Sequence, residues 1–241
     1  MSRIMQLPTT DLDVFMARKR NTNVFREGDQ VGPIYQVETG CVRIVKSCDC
    51  GQRCILAFCF PGDLFGLGSQ GPGEIDAEAA SDTKVSKMTA SRLGSMMRQE
   101  PQRALSIISA AHGGQSRHSE HFSVVSYGHA DEKIAWFLNC LAARALQAGF
   151  DTKPAALVID LPMPRGDIAD HLGMKLETVS RELAKLKEAG VIETIGFRKI
   201  IVRKPRELAQ RAELDAHETR KAVERNSVCD WMPAVSKQLQ H

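Results

Sequence analysis

The chain has 241 residues, 43% of them hydrophobic and 25% charged, and a formal net charge of +3. This composition supports a packed core and a mildly basic surface, which permits a nucleic-acid partner without demanding one. No apolar run approaches the roughly 18 residues that read as a membrane span, and the opening MSRIMQLPTT has no signal-peptide run, so a cytoplasmic protein with no membrane partner is expected.

Residues 1–22 form a segment ahead of the first β-prone run. Between 23 and 90, VFREGD, PIYQVETGCVRIVK, CILAFCFPGDLFGL, EIDAEAAS and TKVSKMT are short β-prone stretches. They are broken at Gly28-Asp29, Gly32-Pro33, Gly40, Asp49 to Gly51, Pro61-Gly62-Asp63 and Gly71-Pro72-Gly73. Short strands at this spacing predict a sandwich or barrel.

The pattern changes near residue 91. From Ser91 to Gly149 Pro101 is the one proline. Residues 102–127 predict a long helix with Leu105, Ile108, Phe122 and Val125 among its apolar positions, weakened at Gly113-Gly114, where each Gly costs about 1 kcal/mol relative to Ala. Residues 130–148 predict a clearer amphipathic helix, with Ile134, Phe137, Leu138, Leu141 and Ala145 on one face. ALVIDLPM then reads as a strand, 165–172 and 175–188 as two helices broken at Gly173, GVIETIGFRKIIVRKP as a hairpin flanking Gly196, and 206–225 as a helical run in a charged tail, 206–241.

The two helices broken at Gly173 have the spacing of a helix-turn-helix. Counted from Arg165, the fifth residue is Ala169, small enough for a close crossing; the ninth is Gly173, free to take a left-handed turn; the fifteenth is Val179, which packs back on the first helix. The eighteenth, a place for an apolar side chain, is Glu182, followed by Leu183. In KLETVSRELAKL, Leu176, Val179, Leu183 and Leu186 take the apolar face, while Glu177, Ser180 and Arg181 share another face at i, i+3 and i+4.

In such a unit the second helix enters the DNA major groove. There Arg181 can donate two bonds to guanine O6 and N7, Glu177 can accept from a cytosine or adenine amino group, and Ser180 is short enough to reach a base or a thymine methyl. A Glu177–Arg181 surface pair, worth about 0.3–0.5 kcal/mol, is compatible with that role. Lys175, Thr178, Lys185, Arg198 and Lys199 flank the reader as candidates for phosphate contacts or as solvated surface residues.

DIADHLGMKLETVSRELAKLKEAGVI resembles the DNA-binding helices of the CRP/FNR regulators, and its E-x-x-S-R at 177–181 is the FNR and FixK form. GDQVGPIYQVETGCVRIVK is similar to the start of that family's β-roll, and FCFPGDLFGL and AEAASDTKV resemble FixK in particular. The resemblance spans residues 23–203. It implies an α+β chain: a jelly-roll-type β-roll like that of cyclic-nucleotide-binding proteins at 23–100, a dimerisation helix at 101–128 and a winged helix-turn-helix at 129–205. It further implies a homodimeric activator working with RNA polymerase on double-stranded DNA. Its sites would resemble TTGAT–N4–ATCAA and lie near genes for low-oxygen respiration or nitrogen metabolism.

Two family cofactors find little support in the residues. Cyclic-nucleotide sensors of the family carry Gly-Glu followed by Arg-Ser or Arg-Thr; here Leu67 follows Gly66, and Ile75 and Asp76 stand near the place of the Arg. FNR holds an iron–sulfur cluster on cysteines of an N-terminal extension, and residues 1–22 contain none. No cofactor is expected. His118 and His121 share a face, as metal or haem ligands or as part of a polar dimer-helix surface. Cys48, Cys50 and Cys54 cluster in CDCGQRC, open to three readings: small weakly apolar residues, a redox switch beside Arg53, or a zinc or iron–sulfur site. The seven cysteines, odd in number, argue against a disulfide framework. An enzyme on a cupin-like roll would need histidines on the strands, and residues 23–90 have none. A signalling module whose helix-turn-helix contacts protein is the remaining alternative.

Overall fold

The structure, a computed structural model, describes residues 14–26, 29, 33–47, 53–66, 75–147 and 157–213, without the side chains of 14, 109–119 and 147. Several expected turns, Cys48, Cys50, Leu67 and the tail from 214 lie outside these residues.

Eight strands come first: β1 Val14–Arg18, β2 Asn23–Phe25, β3 Ile34–Thr39, β4 Val42–Ser47, β5 Arg53–Cys59, β6 Leu64–Phe65, β7 Asp76–Ala79 and β8 Thr83–Met88. They form two antiparallel four-stranded sheets, in the orders β1-β8-β3-β6 and β2-β7-β4-β5. The alternation in β7 is clear: Ala77 and Ala79 are buried, Asp76 and Glu78 less so. Val24, Val37, Val42, Ile44 and Val85 fill the interior with a ring cluster of Phe25, Tyr35 and Phe65, whose centroids lie 5.3–6.2 Å apart. Gly40 turns between β3 and β4 at φ +84°, where a Cβ would collide with the Asp82 carbonyl.

One element corrects the sequence reading and another adds to it. Residues 14–18, assigned to the segment ahead of the β-roll, are its edge strand β1, paired with β8 from Val14↔Lys87 to Arg18↔Thr83. Its alternation is weak because Met16 packs inward while Phe15 is 61% exposed. Residues 90–99, for which no element was expected, form helix α1 (Ala90–Gln99), opened by the Thr89 hydroxyl accepting from the Arg92 N–H.

Helix α2 (Pro101–Tyr127) follows, with Pro101 in its first turn, where a missing N–H is harmless. Its 27 residues span about 40 Å. Ala104 and Ile107 are buried against Ile34, Met88 and Met96, while Leu105, Ile108 and Phe122 are exposed. Helix α3 (Ala130–Gln147) leads to the C-terminal unit: strand β9 (Leu157–Asp160), helices α4 (Arg165–Leu172) and α5 (Leu176–Glu188), hairpin β10 (Ile192–Ile195) and β11 (Lys199–Val202), and helix α6 (Pro205–Arg211). The three strands order as β10-β11-β9. The helical run expected at 206–225 is present as α6, and its continuation beyond 213 lies outside the described residues.

The two halves meet through α4. Arg43 of β4, 5% exposed, places Nη1 2.6 Å from Asp167 Oδ2 and Nη2 2.7 Å from Glu78 Oε2, and donates to Asn21 Oδ1 at 3.2 Å. Arg53 Nη2 joins the same Glu78 oxygen at 2.6 Å. His171 of α4 donates from Nδ1 to the Ile55 carbonyl at 2.9 Å, and its ring packs edge-on against Phe58 and Phe137. Its own carbonyl accepts from His121 Nε2 at 2.7 Å, and the two imidazoles stack 3.9 Å apart, with the Trp136 ring stacked on His121 at 5.7 Å. His121 is therefore turned toward α4, not part of a free polar surface on α2. A further bridge joins Arg144 of α3 to Asp63 at 3.0 Å, with the guanidinium 4.8 Å over the Phe60 ring.

Replacing Asp167 by Ala leaves Arg43 buried with a lost partner. The expected cost is about 3 kcal/mol in denaturant unfolding, whereas the pair of changes Arg43→Met and Asp167→Leu should cost much less.

Candidate nucleic-acid interface

The helix-turn-helix forms as its spacing predicts. Ala169 is 3% exposed, Val179 0% and Leu172 0%, so the two helices cross with no room for larger side chains. Gly173 takes φ +61°, and its N–H closes α4 by donating to the Ala169 carbonyl. A Cβ there would also press on Val125 Cγ1 of α2 at 3.3 Å. Val179, Leu183 and Leu186 are buried as expected, but Leu176 is 47% exposed. It opens the first turn of α5, which projects beyond the core that the later turns cover.

Glu177 and Arg181 stand exposed on the outer face of α5, and Ser180 is half-buried beside them. Arg165 Nη1 donates to Ser180 Oγ at 3.4 Å. The ion pair that Arg181 makes is with Glu182, not Glu177: Nε lies 3.4 Å from Oε1, and the Arg181 side chain is 64% exposed. Lys185 Nζ reaches the same oxygen at 3.0 Å. Glu182 itself is buried at 3% exposure, as its place in the motif implies for an apolar residue.

The other candidates ring this face. Lys175 is exposed at the N-cap of α5 and Thr178 is half-buried one turn on. Arg198 and Lys199 are exposed on the hairpin between β10 and β11, and Lys199 Nζ lies 3.9 Å from Asp160.

Sequence reading missed one part of this surface. A cleft of about 270 Å³ is lined by Arg20, Arg165 and Arg198 with the aromatic ring of Phe197, and by no acidic residue among the described residues. Phe197 is 88% exposed. Arg165 was readable as the first residue of the motif. Arg20 was not, because only the fold brings a β-roll turn, held by the Arg20 N–H on Asp82 Oδ1 at 3.0 Å, to the start of α4.

The cysteines are divided by the fold. Cys41 lies just ahead of β4 and is fully buried; burial, with Cys59 and Asp63 close by, pushes its thiol well above the ordinary value and keeps it protonated. Cys54 is exposed at the start of β5, opposite Lys46. Among the described residues no group of three or more His, Cys, Asp and Glu is placed to hold a metal, and no helix is long and apolar enough to cross a membrane.

Both halves of the chain match known domain families. Residues 132–211 match the Crp-like helix-turn-helix domain and residues 16–100 the cyclic nucleotide-binding domain. The nitrogen fixation regulation protein FixK of Rhizobium meliloti is 36% identical over 79% of this chain and 83% of its own length. The chain belongs to the CRP/FNR family. Within it the FixK-like group stands near: the structure of FixK2 from Bradyrhizobium japonicum is 33% identical and superposes with a TM-score of 0.74 over 84% of this chain and 98% of that one. The transcriptional activator protein anr of Pseudomonas aeruginosa is 29% identical over 74% of this chain and 72% of its own. The protein is thus a FixK-like DNA-binding transcription regulator, not an enzyme.

Lys199→Ala should weaken binding to all duplexes alike. The slope of log affinity against log salt should become shallower by about 0.9, as expected when one phosphate contact is lost.

Proposed function

We propose that the protein acts as a homodimer on a two-fold symmetric TTGAT–N4–ATCAA-like site and, with RNA polymerase, activates bacterial genes for low-oxygen respiration or nitrogen metabolism. The observation that carries this reading is the exposed Glu177, Ser180 and Arg181 face on the N-terminal half of α5, raised on a close-packed helix-turn-helix. In it Arg181 reads the guanine, Glu177 the opposite-strand base near it and Ser180 a flanking thymine. Lys175, Thr178, Lys185, Arg198 and Lys199, joined by Arg20 and Arg165, steady the duplex through its phosphates. Such a regulator works where the chromosome is, in the cytoplasm.

The dimer reading is supported by the outward row of Leu105, Ile108 and Phe122 on α2, large apolar side chains that nothing in the single chain covers among the described residues. A twin helix packed against them sets two copies of α5 about one DNA turn apart, roughly 34 Å.

A cyclic nucleotide finds little support in the residues of the β-roll. Ile75 packs against the core, and the Asp76 carboxylate stands near the place where the family's phosphate-binding Arg belongs. An acidic group there repels a phosphate, and the Phe25, Tyr35 and Phe65 cluster fills the interior. We therefore assign no cofactor to the protein. The reading of Cys48, Cys50 and Cys54 as a redox, zinc or iron–sulfur site gains no support from exposed Cys54, the one member within the described residues.

A gel shift with a TTGAT–N4–ATCAA duplex tests the whole reading; binding no tighter than to a scrambled duplex would refute it. Arg181→Ala should cost about 1–3 kcal/mol on the specific site and relax preference at the guanine alone. Ile108→Glu should shift the dimer to monomer in analytical ultracentrifugation and weaken operator binding in parallel.

A further inference from the structure

We infer that Glu182 is a positioning residue for sequence reading: its buried carboxylate holds Arg181 by the side of the guanidinium and turns the terminal fork outward to DNA. The inference rests on the base-reading role proposed above for Arg181.

Glu182 stands on the buried side of α5 with Val179, Leu183 and Leu186, where the helix-turn-helix spacing calls for an apolar side chain. Its side chain is 4% exposed. Oε1 receives both cations of the outer face, Lys185 Nζ at 3.0 Å and Arg181 Nε at 3.4 Å. Oε2 has no hydrogen-bond partner among the described residues. Adjacent residues of a helix do not share a face, so this contact forms because the Arg181 side chain folds back over its neighbour.

That choice of atom has a consequence for recognition. A guanidinium offers five N–H donors in a fixed fork, one on Nε and two on each Nη. A guanine takes two of them, at O6 and N7. With Nε turned down to Glu182, the pair left facing outward is Nη1 and Nη2, so Arg181 approaches the base end-on. The same carboxylate offsets one of the two positive charges of Arg181 and Lys185. Sequence-blind attraction to phosphate is thereby reduced, while the directional fork is kept. The carboxylate trades some general affinity for selectivity.

The test compares the full-length protein with Glu182→Leu and Glu182→Gln on two duplexes, TTGAT–N4–ATCAA and the same site with its guanine pairs exchanged, at several salt concentrations. Glu182→Leu should melt no lower than the wild type. Its preference for guanine should fall about tenfold, within the range for one bidentate contact. Its salt slope should steepen by about 1 as Lys185 is freed for phosphate. Glu182→Gln keeps an oxygen for Arg181 Nε but no charge, so it should steepen the slope while keeping most of the preference. In an Arg181→Ala background, Glu182→Leu should change the preference no further. If the leucine form is unstable, Glu182→Met, whose flexible thioether fills irregular gaps, serves the same comparison. A folded Leu or Met form that discriminates like the wild type overturns the inference, as does a loss of preference that persists without Arg181. A wild type that binds the site without preferring guanine removes the reading of Arg181 itself.

Discussion

A guanidinium buried between two domains governs how the molecule holds together. Burial alone would push Arg43 below its ordinary value, but its hydrogen bonds and charge contacts with Asp167 and Glu78 more than reverse this and hold it above. A charge taken out of water survives only when its partners are in place. Arg43 and Glu78 sit on neighbouring strands of one sheet, so that half of the site is preformed. Asp167 arrives on α4, from the helix-turn-helix. The β-roll is thus left with an incompletely matched cation until the DNA-binding unit docks.

The apolar groups around this ion pair follow the same boundary. The core of the winged helix-turn-helix extends across the junction to Cys41, Ala80, Phe58 and Phe60 of the β-roll. His171 ties three elements together there, bonded to β5, stacked on α2 and packed against α3. Both ring contacts to carbonyls require the imidazoles to donate, which fixes Nδ1–H on His171 and Nε2–H on His121. The position of α4, and of α5 packed on it, is therefore set by polar contacts of defined direction laid over an apolar seam.

What could be read from the chain divides by distance. The helix-turn-helix was legible because its constraints are local: Ala169, Gly173 and Val179 lie within eleven residues and each meets a steric demand of one crossing. The long helix α2 and the hairpin around Gly196 were legible for the same reason. Strand β1 was not, because an edge strand buries one face only and Phe15 breaks the alternation. Helix α1 went unassigned because its signals are only a Thr cap and a short apolar stripe. Arg20 beside Arg165, and Arg43 with Asp167, join positions remote in the sequence, and no periodicity announces them. The exposure of Leu176 and the direction taken by Arg181 depend on how far α5 projects past its supporting core, which spacing does not report.

The ties that seat α4 also bear on the order in which the chain assembles. Arg43 and Asp167 are 124 residues apart, Ile55 and His171 116, and His121 and His171 50. Closing such loops carries an entropic cost that grows with the logarithm of their length, and it must be met before the contact returns anything. The turn at Gly173 and the hairpins of the β-roll close over a few residues. Each half therefore gains structure on its own, and the seating of α4 on β5 comes late. Synthesis runs in the same direction: the Arg43–Glu78 half of the site leaves the ribosome well before Asp167 does, so the nascent β-roll waits with its cation partly matched until the last third of the chain emerges.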